Sequence, residues 1–356
     1  MGVAIRSGAE RAAADHVQAL MSASRLRHCD DKKPGITRKR AGHGWAYFLP
    51  SGERIKDRDE IDRLNRIALP PAYVDAWFCP YANGHIQATG VDAKGRKQYR
   101  YHPDFRAQQE ADKYERCADF GRALPKLRAR VTADLAGRKL ARDTVVAAVV
   151  RLLDLGHIRV GNEAYAKQNK SFGATTLRNR HARVSGSRLR LEYVGKSGKK
   201  QRLTIEDRRL ATLVRRMQDL PGQHLFEYLD SEGQPHPVGS ADVNAYLHEI
   251  AGEAFTAKDF RTWAGTLAAA KALAMQPAPA GEREAKTAVT LCVKATSGLL
   301  GNTPAVCRKA YIHPEVLTAF ADKRLPKAFA KAEGPKFEAA MLKFLDALAA
   351  EVKAKK

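Results

Sequence analysis

The sequence predicts an α+β protein with a small β-rich N-terminal domain and a larger, mainly α-helical domain that contains an inserted β-hairpin. In the first third, short segments of strand-like alternation are separated by turn dipeptides. After His102-Pro103-Asp104, apolar residues recur at helical spacing almost to the end. We therefore predict an N-terminal extension at residues 1–39, a β-rich domain at 40–107 and a helical domain at 108–356. A chain of 356 residues is long enough for these domains.

The composition predicts a polyanionic partner. Lys and Arg number 62 against 39 Asp and Glu, which gives a formal net charge of +23. Nucleic acid is the first candidate for such a basic chain. The basic N-terminal extension ends in a Lys/Arg cluster between Asp31 and Arg40, which we interpret as a solvated arm that could also help to hold a duplex.

The cysteines and the apolar runs indicate the compartment. The five cysteines are odd in number and far apart, and none has metal-ligand spacing, which argues against structural zinc and for a reducing cytoplasm. The N-terminus lacks the apolar run of a signal peptide, and no stretch of 18 apolar residues exists. We expect a soluble cytoplasmic protein without a membrane partner.

The β-rich domain is predicted from alternation and turn signals. A capped helix is expected at Asp57–Ile67, and an amphipathic helix is possible in the extension at Glu10–Ser24. Strands are predicted at Trp45–Leu49, Arg54–Lys56, Ala76–Cys79, His85–Thr89 and Gln98–Tyr101.

The last of these strands allows two interpretations. Tyr99 and Tyr101 point to one face, while Gln98 and Arg100 point to the other. Aromatic residues interleaved with cations and an amide suit a surface that reads a DNA groove. The same pattern also fits a buried tyrosine pair with solvated basic neighbours, and the sequence does not decide between the two.

The second domain is predicted to be helical with one interruption. Thr256 and Asp259 form a capping pair for the helix that follows, and Leu189, Leu191 and Tyr193 alternate in a hairpin with a lysine at its tip. Gly195-Lys196-Ser197 is not a nucleotide-binding P-loop, because Arg190 stands where the motif needs glycine. The predicted helices are Lys113–Gly121, Leu124–Gly137, Thr144–Leu155, Asn162–Asn169, Glu206–Leu220, Ala241–Gly252, Lys258–Met275, Glu284–Leu300 and Lys336–Val352.

The segment from Asn302 to Pro314 reads as a short helix that carries Tyr311. Asn302 is a plausible N-cap, Pro304 suits the first turn, and Pro314 prevents continuation. A tyrosine can act as a nucleophile, but with an ordinary pKa of about 10 it needs cationic neighbours. Taken alone, the segment is more typical of a surface helix with a half-buried tyrosine than of a catalytic helix.

Several separate segments together resemble one family, the type IB DNA topoisomerases of the compact bacterial and poxvirus kind. Their order and spacing carry the resemblance, which extends from about residue 40 to 320. The segments are Gly84–Tyr101, Gly156–Ala166, Ser171–Arg178, Val194–Lys196, Ala257–Trp263 and Asn302–Tyr311.

The resemblance implies roles for five catalytic residues. Tyr311 matches the nucleophile that becomes linked to a 3′ phosphate, and Arg159 and Arg261 match the arginines that clamp the scissile phosphate. Lys196 matches the acid that protonates the leaving 5′ oxygen. Asn302 stands where eukaryotic and viral members carry histidine, and we interpret it as a hydrogen-bond donor to the phosphate or, alternatively, as only a helix cap.

The resemblance also implies DNA contacts. Gln98, Tyr99 and Tyr101 match positions that touch bases and backbone, and Tyr165 and Lys258 match positions that contact phosphates near the site. The two domains are expected to form a clamp around duplex DNA.

The function implied is relaxation of supercoiled DNA by a monomer in the cytoplasm, at the nucleoid. The reaction passes through a 3′-phosphotyrosyl intermediate and needs neither ATP, metal nor another cofactor. Two alternatives remain from the residues: a tyrosine site-specific recombinase, which shares this chemistry, and an architectural DNA-binding protein, which would explain the charge alone.

Overall fold

A computed structural model describes residues 26–137, 139–252 and 255–354, and it confirms the predicted α+β class. The chain divides after Lys113 into two compact units, the first rich in strands and the second mainly helical. The helix predicted at Glu10–Ser24 lies outside the described residues.

The first unit is built on an antiparallel sheet of five strands, which lie in the order β2 (Gly44–Phe48), β1 (Ile36–Ala41), β3 (Val74–Phe78), β4 (Ile86–Val91) and β5 (Lys97–Tyr101). A helix, α1 (Arg58–Arg66), follows the second strand, and the Asp57 carboxylate caps it as predicted by accepting from the Asp59 N–H at 3.0 Å. Leu64 of this helix packs with Ile36, Tyr47 and Phe78 in the core of the unit.

Strand β1 corrects the interpretation of residues 36–40 as a solvated arm. Ile36 is buried, and Arg38 stacks on Trp45 at 4.0 Å and donates to the Leu69 carbonyl at 2.8 Å. No strand was predicted here, because the basic run Arg38-Lys39-Arg40 shows no alternation of apolar and polar residues. The strand predicted at Arg54–Lys56 is also wrong, since Arg54 makes only an isolated bridge to Phe48.

The second unit is mainly helical. Its helices surround one core, and the first of them, α2 (Pro103–Asp134), includes residues on both sides of the division. They are α2 (Pro103–Asp134), α3 (Arg142–Gly156), α4 (Glu163–Asn169), α5 (Arg208–Gln218), α6 (Ser240–Ala251), α7 (Ala257–Ala274), α8 (Glu282–Leu300), α9 (Pro304–Ala310), α10 (Pro314–Ala321) and α11 (Gly334–Ala354).

Helix α2 is continuous, so the break predicted between Gly121 and Leu124 is wrong. Gly121 does not end the helix but lets the Trp263 ring pack against its backbone, where an added Cβ would lie 2.5 Å from the ring. Burial of Leu124 and Leu127 against the core keeps the helix intact through Pro125. Tertiary packing here overrides the local preferences of glycine and proline.

The predicted hairpin is present between α4 and α5. Strands β7 (Arg188–Val194) and β8 (Lys200–Glu206) pair antiparallel, and Leu189, Leu191 and Tyr193 of β7 are buried as predicted. A third strand, β6 (Ala182–Ser185), pairs with β7 and was not predicted. Nor was the small pair of β9 (Glu227–Leu229) and β10 (Pro235–Pro237).

All five cysteines are buried, and none of them forms a disulfide bond. Within the described ranges, no group of His, Cys, Asp and Glu side chains is arranged to hold a metal ion. None of the described helices combines the length and the apolar character needed to span a membrane.

Candidate active site

Tyr311 ends α9, the short helix predicted around it. Its N–H donates to the Cys307 carbonyl at 2.9 Å, and its side chain is half-buried. The helix is capped by Thr303, whose hydroxyl accepts from Val306 N, and Pro304 occupies its first position. The prediction that Asn302 is the N-cap is therefore wrong. Asn302 belongs instead to the exit from α8, since its N–H donates to the Ser297 carbonyl at 2.9 Å.

The Asn302 side chain is buried, only 8% exposed, and faces Arg159. Its Oδ1 accepts a hydrogen bond from Arg159 Nη2. A guanidinium has donors only, so this contact fixes the orientation of the amide. The Nδ2 group is consequently turned the other way, and it has no hydrogen-bond partner among the described residues.

Arg159 lies in the segment between α3 and α4. Besides Asn302, its Nη2 contacts the Gly301 carbonyl at 3.4 Å. Burial lowers the pKa of Arg159, and the neighbouring positive charge of Arg261 lowers it further. Arginine nonetheless stays protonated in proteins. Two guanidinium groups held close together in a partly buried site favour an anionic ligand.

Arg261 is the most deeply buried cation of the site, at 3% exposure. Its Nη1 donates to the His157 carbonyl, and its Nη2 donates to the Leu300 carbonyl at 2.7 Å. Its Nε has no partner among the described residues. The Arg261 Cζ lies 4.9 Å from the centroid of the Tyr311 ring, so the phenol is held next to a fixed positive charge.

The approach of α7 to Tyr311 depends on Gly265, one turn after Arg261. A Cβ added to Gly265 would lie 2.5 Å from the Tyr311 carbonyl oxygen. The absence of a side chain therefore lets the two backbones touch. One helix thus positions both the guanidinium beside the ring and the backbone behind it. The capping pair at the start of α7 is present as predicted, with Thr256 N donating to Asp259 Oδ2 at 2.8 Å.

Two buried donors, Arg261 Nε and Asn302 Nδ2, have no acceptor among the described residues. A buried donor without a partner costs about 1–3 kcal/mol. We call these two groups and the Arg159 guanidinium the candidate anion site, because the oxygens of an anion could serve as the missing acceptors. The half-buried phenol of Tyr311 lies at its border.

The fifth candidate, Lys196, is not hydrogen-bonded to the other four. It begins the one-turn 3₁₀ segment Lys196–Gly198 at the hairpin tip, and its side chain is exposed. Within the part of the chain that the structure describes, its ammonium makes no hydrogen bond or ion pair. The structure therefore brings Tyr311, Arg159, Arg261 and Asn302 together but leaves Lys196 facing solvent.

The three candidates of the first unit lie on β5. Tyr99 and Tyr101 stack at 5.9 Å between ring centroids and are 42% and 40% exposed. The interpretation of this pair as buried core is therefore wrong. Gln98 points away from them and donates to Asp92 Oδ2 at 3.0 Å. An exposed aromatic ladder of this kind can stack on or lie along a nucleic acid.

The remaining candidates lie on separate helices of the second unit. Tyr165 is half-buried in the first turn of α4, which is capped by the Asn162 side chain at 2.9 Å from Tyr165 N. Lys258 is exposed in the first turn of α7, one turn before Arg261. Neither side chain contacts the anion site through a hydrogen bond among the described residues.

Comparisons with known proteins agree on one family. A family model described as "Eukaryotic DNA topoisomerase I, catalytic core" matches residues 102–333, and one described as "Bacterial DNA topoisomerase IB, N-terminal domain" matches residues 44–92. DNA topoisomerase 1B of Acanthamoeba polyphaga mimivirus is 32% identical over 286 residues, which cover 78% of this chain and 85% of the relative.

The chain belongs to the type IB DNA topoisomerases. DNA topoisomerase 1B of vaccinia virus (strain Copenhagen) and DNA topoisomerase I of monkeypox virus are more distant relatives. Each is 21% identical over 237 residues, covering 66% of this chain and 72% of the relative. The chain is accordingly an enzyme that acts on DNA.

Sequence reasoning about this topoisomerase missed the groups that hold Arg261 and Asn302 in place. The His157 and Leu300 carbonyls hold Arg261, and a second hairpin lysine, Lys199, donates to the Asn302 carbonyl at 3.0 Å. Backbone carbonyls leave no trace in residue identity. Of these groups, only Lys199 could have been noticed in the sequence, because it is the second lysine of the turn Gly195-Lys196-Ser197-Gly198-Lys199.

Proposed function

We propose that this enzyme relaxes supercoiled duplex DNA by cutting one strand, letting the duplex rotate and resealing the same strand. The observation that supports this most directly is the anion site beside Tyr311, where two buried donors lack acceptors. A scissile phosphate would supply the missing oxygens. Because one phosphodiester is exchanged for another of similar energy, the cycle needs no ATP.

The cleavage step exchanges two bonds at phosphorus. Tyr311 Oη gives its proton to water and forms a bond to the phosphate, while the bond from phosphorus to the 5′ oxygen breaks. Lys196 gives a proton to that 5′ oxygen, and the 3′ phosphate stays on Tyr311. Arg159 and Arg261 stabilise the charge on the non-bridging oxygens. Resealing runs the same step in reverse.

We propose that neither metal nor cofactor takes part. Two guanidinium groups can supply the positive charge that a divalent cation provides in other phosphoryl-transfer sites. Asn302 Nδ2 adds a neutral donor on the side opposite to its contact with Arg159. The proton needed by the leaving group comes from a lysine and not from metal-bound water.

The DNA-binding surface is proposed to include residues of both units. Gln98, Tyr99 and Tyr101 would contact bases and backbone, while Tyr165 and Lys258 would contact phosphates near the cleaved bond. In this proposal the β-rich domain of about residues 40–107, together with β1, and the catalytic domain of residues 108–356 form a clamp around the duplex. The enzyme would act as a monomer, in the cytoplasm at the nucleoid, as a topoisomerase of the bacterial kind.

Relaxation of a supercoiled plasmid, with EDTA present and ATP absent, tests the proposal. The wild type should relax a plasmid of arbitrary sequence, and stopping the reaction with SDS should trap protein on the DNA. Tyr311→Phe should bind the plasmid and do neither. A requirement for Mg²⁺ or ATP, or for paired specific sites as in a recombinase, would contradict it. Binding without any adduct in the wild type would leave only an architectural role.

A further inference from the structure

The turn that carries Lys196 is fastened to the active site by a different lysine. Lys199 Nζ donates to the Asn302 carbonyl at 3.0 Å, and this is a contact between the hairpin tip and the segment that leads into α9. The Gln201 side chain packs against the neighbouring Gly301. Both lysines of the turn are exposed, and among the described residues Lys196 makes no such contact.

A backbone hydrogen bond couples the positions of Lys196 and Lys199. The Gly195 N–H donates to the Lys199 carbonyl at 2.8 Å, which closes the turn around Lys196. At the other end, the Asn302 carbonyl accepts a hydrogen bond from Lys199, and Asn302 Oδ1 accepts one from Arg159. A continuous path of hydrogen bonds therefore joins the turn of Lys196 to the proposed phosphate clamp.

We propose that Lys199 is a positioning residue that docks the hairpin tip on Asn302, so that Lys196 can protonate the leaving 5′ oxygen. A flexible lysine on an unanchored loop would lose conformational entropy each time it met the reacting atom. Anchoring the turn through Lys199 reduces that cost. Lys199 itself does not touch the reacting atoms, and this inference rests on the proposed function.

The test compares two DNA substrates that differ in the bridging atom at the cleaved bond. In one substrate this atom is the ordinary 5′ oxygen, and in the other it is sulfur, a leaving group that needs no proton. Cleavage is measured in single turnover with saturating enzyme. The variants are Lys199→Met, Lys199→Arg, Lys196→Ala and the double variant Lys196→Ala/Lys199→Met. Lys200→Met is the matched control, because it removes an exposed lysine next to Lys199 that does not contact Asn302.

With oxygen, Lys196→Ala should be slower by about 10²–10⁴-fold, and Lys199→Met by about 10- to 100-fold. With sulfur, both should return to near the wild-type rate, which also demonstrates that the rest of the site is intact. Lys199→Arg should keep most of the rate with oxygen, since it can still donate to the carbonyl. The double variant should be no slower than Lys196→Ala, because both changes disable the same proton transfer.

Three results would overturn the inference. A Lys199→Met variant that stays equally slow with sulfur would make Lys199 a phosphate contact. Equal rates for Lys199→Met and Lys200→Met would mean that Lys199 contributes only a positive charge, as any lysine of the hairpin would. Additive losses in the double variant would mean that the two lysines act separately. If the wild type itself cuts neither substrate, the proposed function fails, and this outcome is distinct from a failure confined to Lys199.

Discussion

At the scale of single residues, the Asn302 side chain does two things in the proposed site: it orients Arg159, and it offers a buried donor. Its Oδ1 holds Arg159, and its Nδ2 is left as a buried donor without a partner among the described residues. The neighbouring Thr303, not Asn302, caps the helix of Tyr311. The two roles that the sequence left open for Asn302 can therefore be separated by mutation.

We predict that Asn302→Asp slows cleavage by a factor of about 10²–10³, the usual cost of one lost transition-state donor. A carboxylate keeps the acceptor for Arg159 but has no N–H, and it places negative charge beside the phosphate. Asn302→His should retain much of the rate, because a neutral imidazole offers one acceptor and one donor. Single-turnover cleavage measures both variants.

Thr303→Ala is the matched control for this pair. It removes the cap and should cost about 1 kcal/mol of stability, with a small effect on the rate. If Asn302→Asp cleaved as fast as the wild type while Thr303→Ala did not, the amide would have no role as a donor to the phosphate.

Arg261→Lys is expected to behave as a drastic change. The fork of Arg261 donates to two backbone carbonyls and leaves Nε directed elsewhere, a geometry that a single ammonium cannot reproduce. We predict a loss of cleavage of at least about 10²-fold, with DNA binding largely kept. A filter-binding measurement beside the cleavage assay separates a loss of cleavage from a loss of DNA binding. Near-normal cleavage by Arg261→Lys would mean that the two-pronged geometry of the guanidinium is not required.

The sequence identified the side chains of the proposed active site better than the groups that orient them. The family resemblance pointed to Tyr311, Arg159 and Arg261, and the structure brings the three side chains together. The carbonyls of His157 and Leu300 could not be predicted, because any residue at those positions offers the same atom.

At the scale of elements, α11 is an integral part of the second unit although it follows the segment matched by the family model, which ends at residue 333. Phe337, Met341 and Leu345 enter the core. Glu338 pairs with Arg128 at 2.6 Å, and Arg128 also bonds Asp154. Burial disfavours the charge of Arg128, but its hydrogen bonds to Asp154 and Glu338 outweigh this effect and raise its pKa.

We predict that Met341→Ala lowers the free energy of unfolding by about 2–5 kcal/mol, because it opens a cavity in a fully buried position. Lys343→Ala, an exposed change on the same helix, should alter it by less than about 0.5 kcal/mol. Urea unfolding followed by circular dichroism compares the two. Equal effects would mean that α11 is not packed into the unit.

Elements with regular periodicity were predicted well, and those defined by packing were not. The hairpin β7–β8 has clean alternation and was found, whereas β1 was hidden by its basic residues. Helix α2 was predicted as two helices, because Gly121 carries a local signal for an end and the Trp263 ring that explains it is distant in sequence.

At the scale of the whole molecule, the net charge of +23 makes a prediction about binding. Six or more phosphate contacts should reduce affinity for duplex DNA by about 10³-fold or more between roughly 50 and 200 mM salt. Fluorescence anisotropy with a short labelled duplex measures the slope of log affinity against log salt. A flat response would place the excess charge away from the DNA.

Two variants calibrate that slope. Lys258→Ala removes one exposed cation of α7 and should reduce the slope by about one. Tyr165→Phe removes a hydroxyl and no charge, so it should lower affinity without changing the slope. The opposite pattern would exchange the proposed roles of these two residues.

The central claim, that Tyr311 becomes linked to a 3′ phosphate, has one most direct test. The wild type is trapped on supercoiled plasmid with SDS, the adduct is digested with nuclease and protease, and the modified peptide is sequenced by mass spectrometry. We predict that the nucleotide is attached to Tyr311 through its 3′ phosphate and that the cut strand has a free 5′ hydroxyl, which a polynucleotide kinase labels directly. Attachment to another residue, attachment through a 5′ phosphate, or an adduct that persists in Tyr311→Phe would contradict the mechanism.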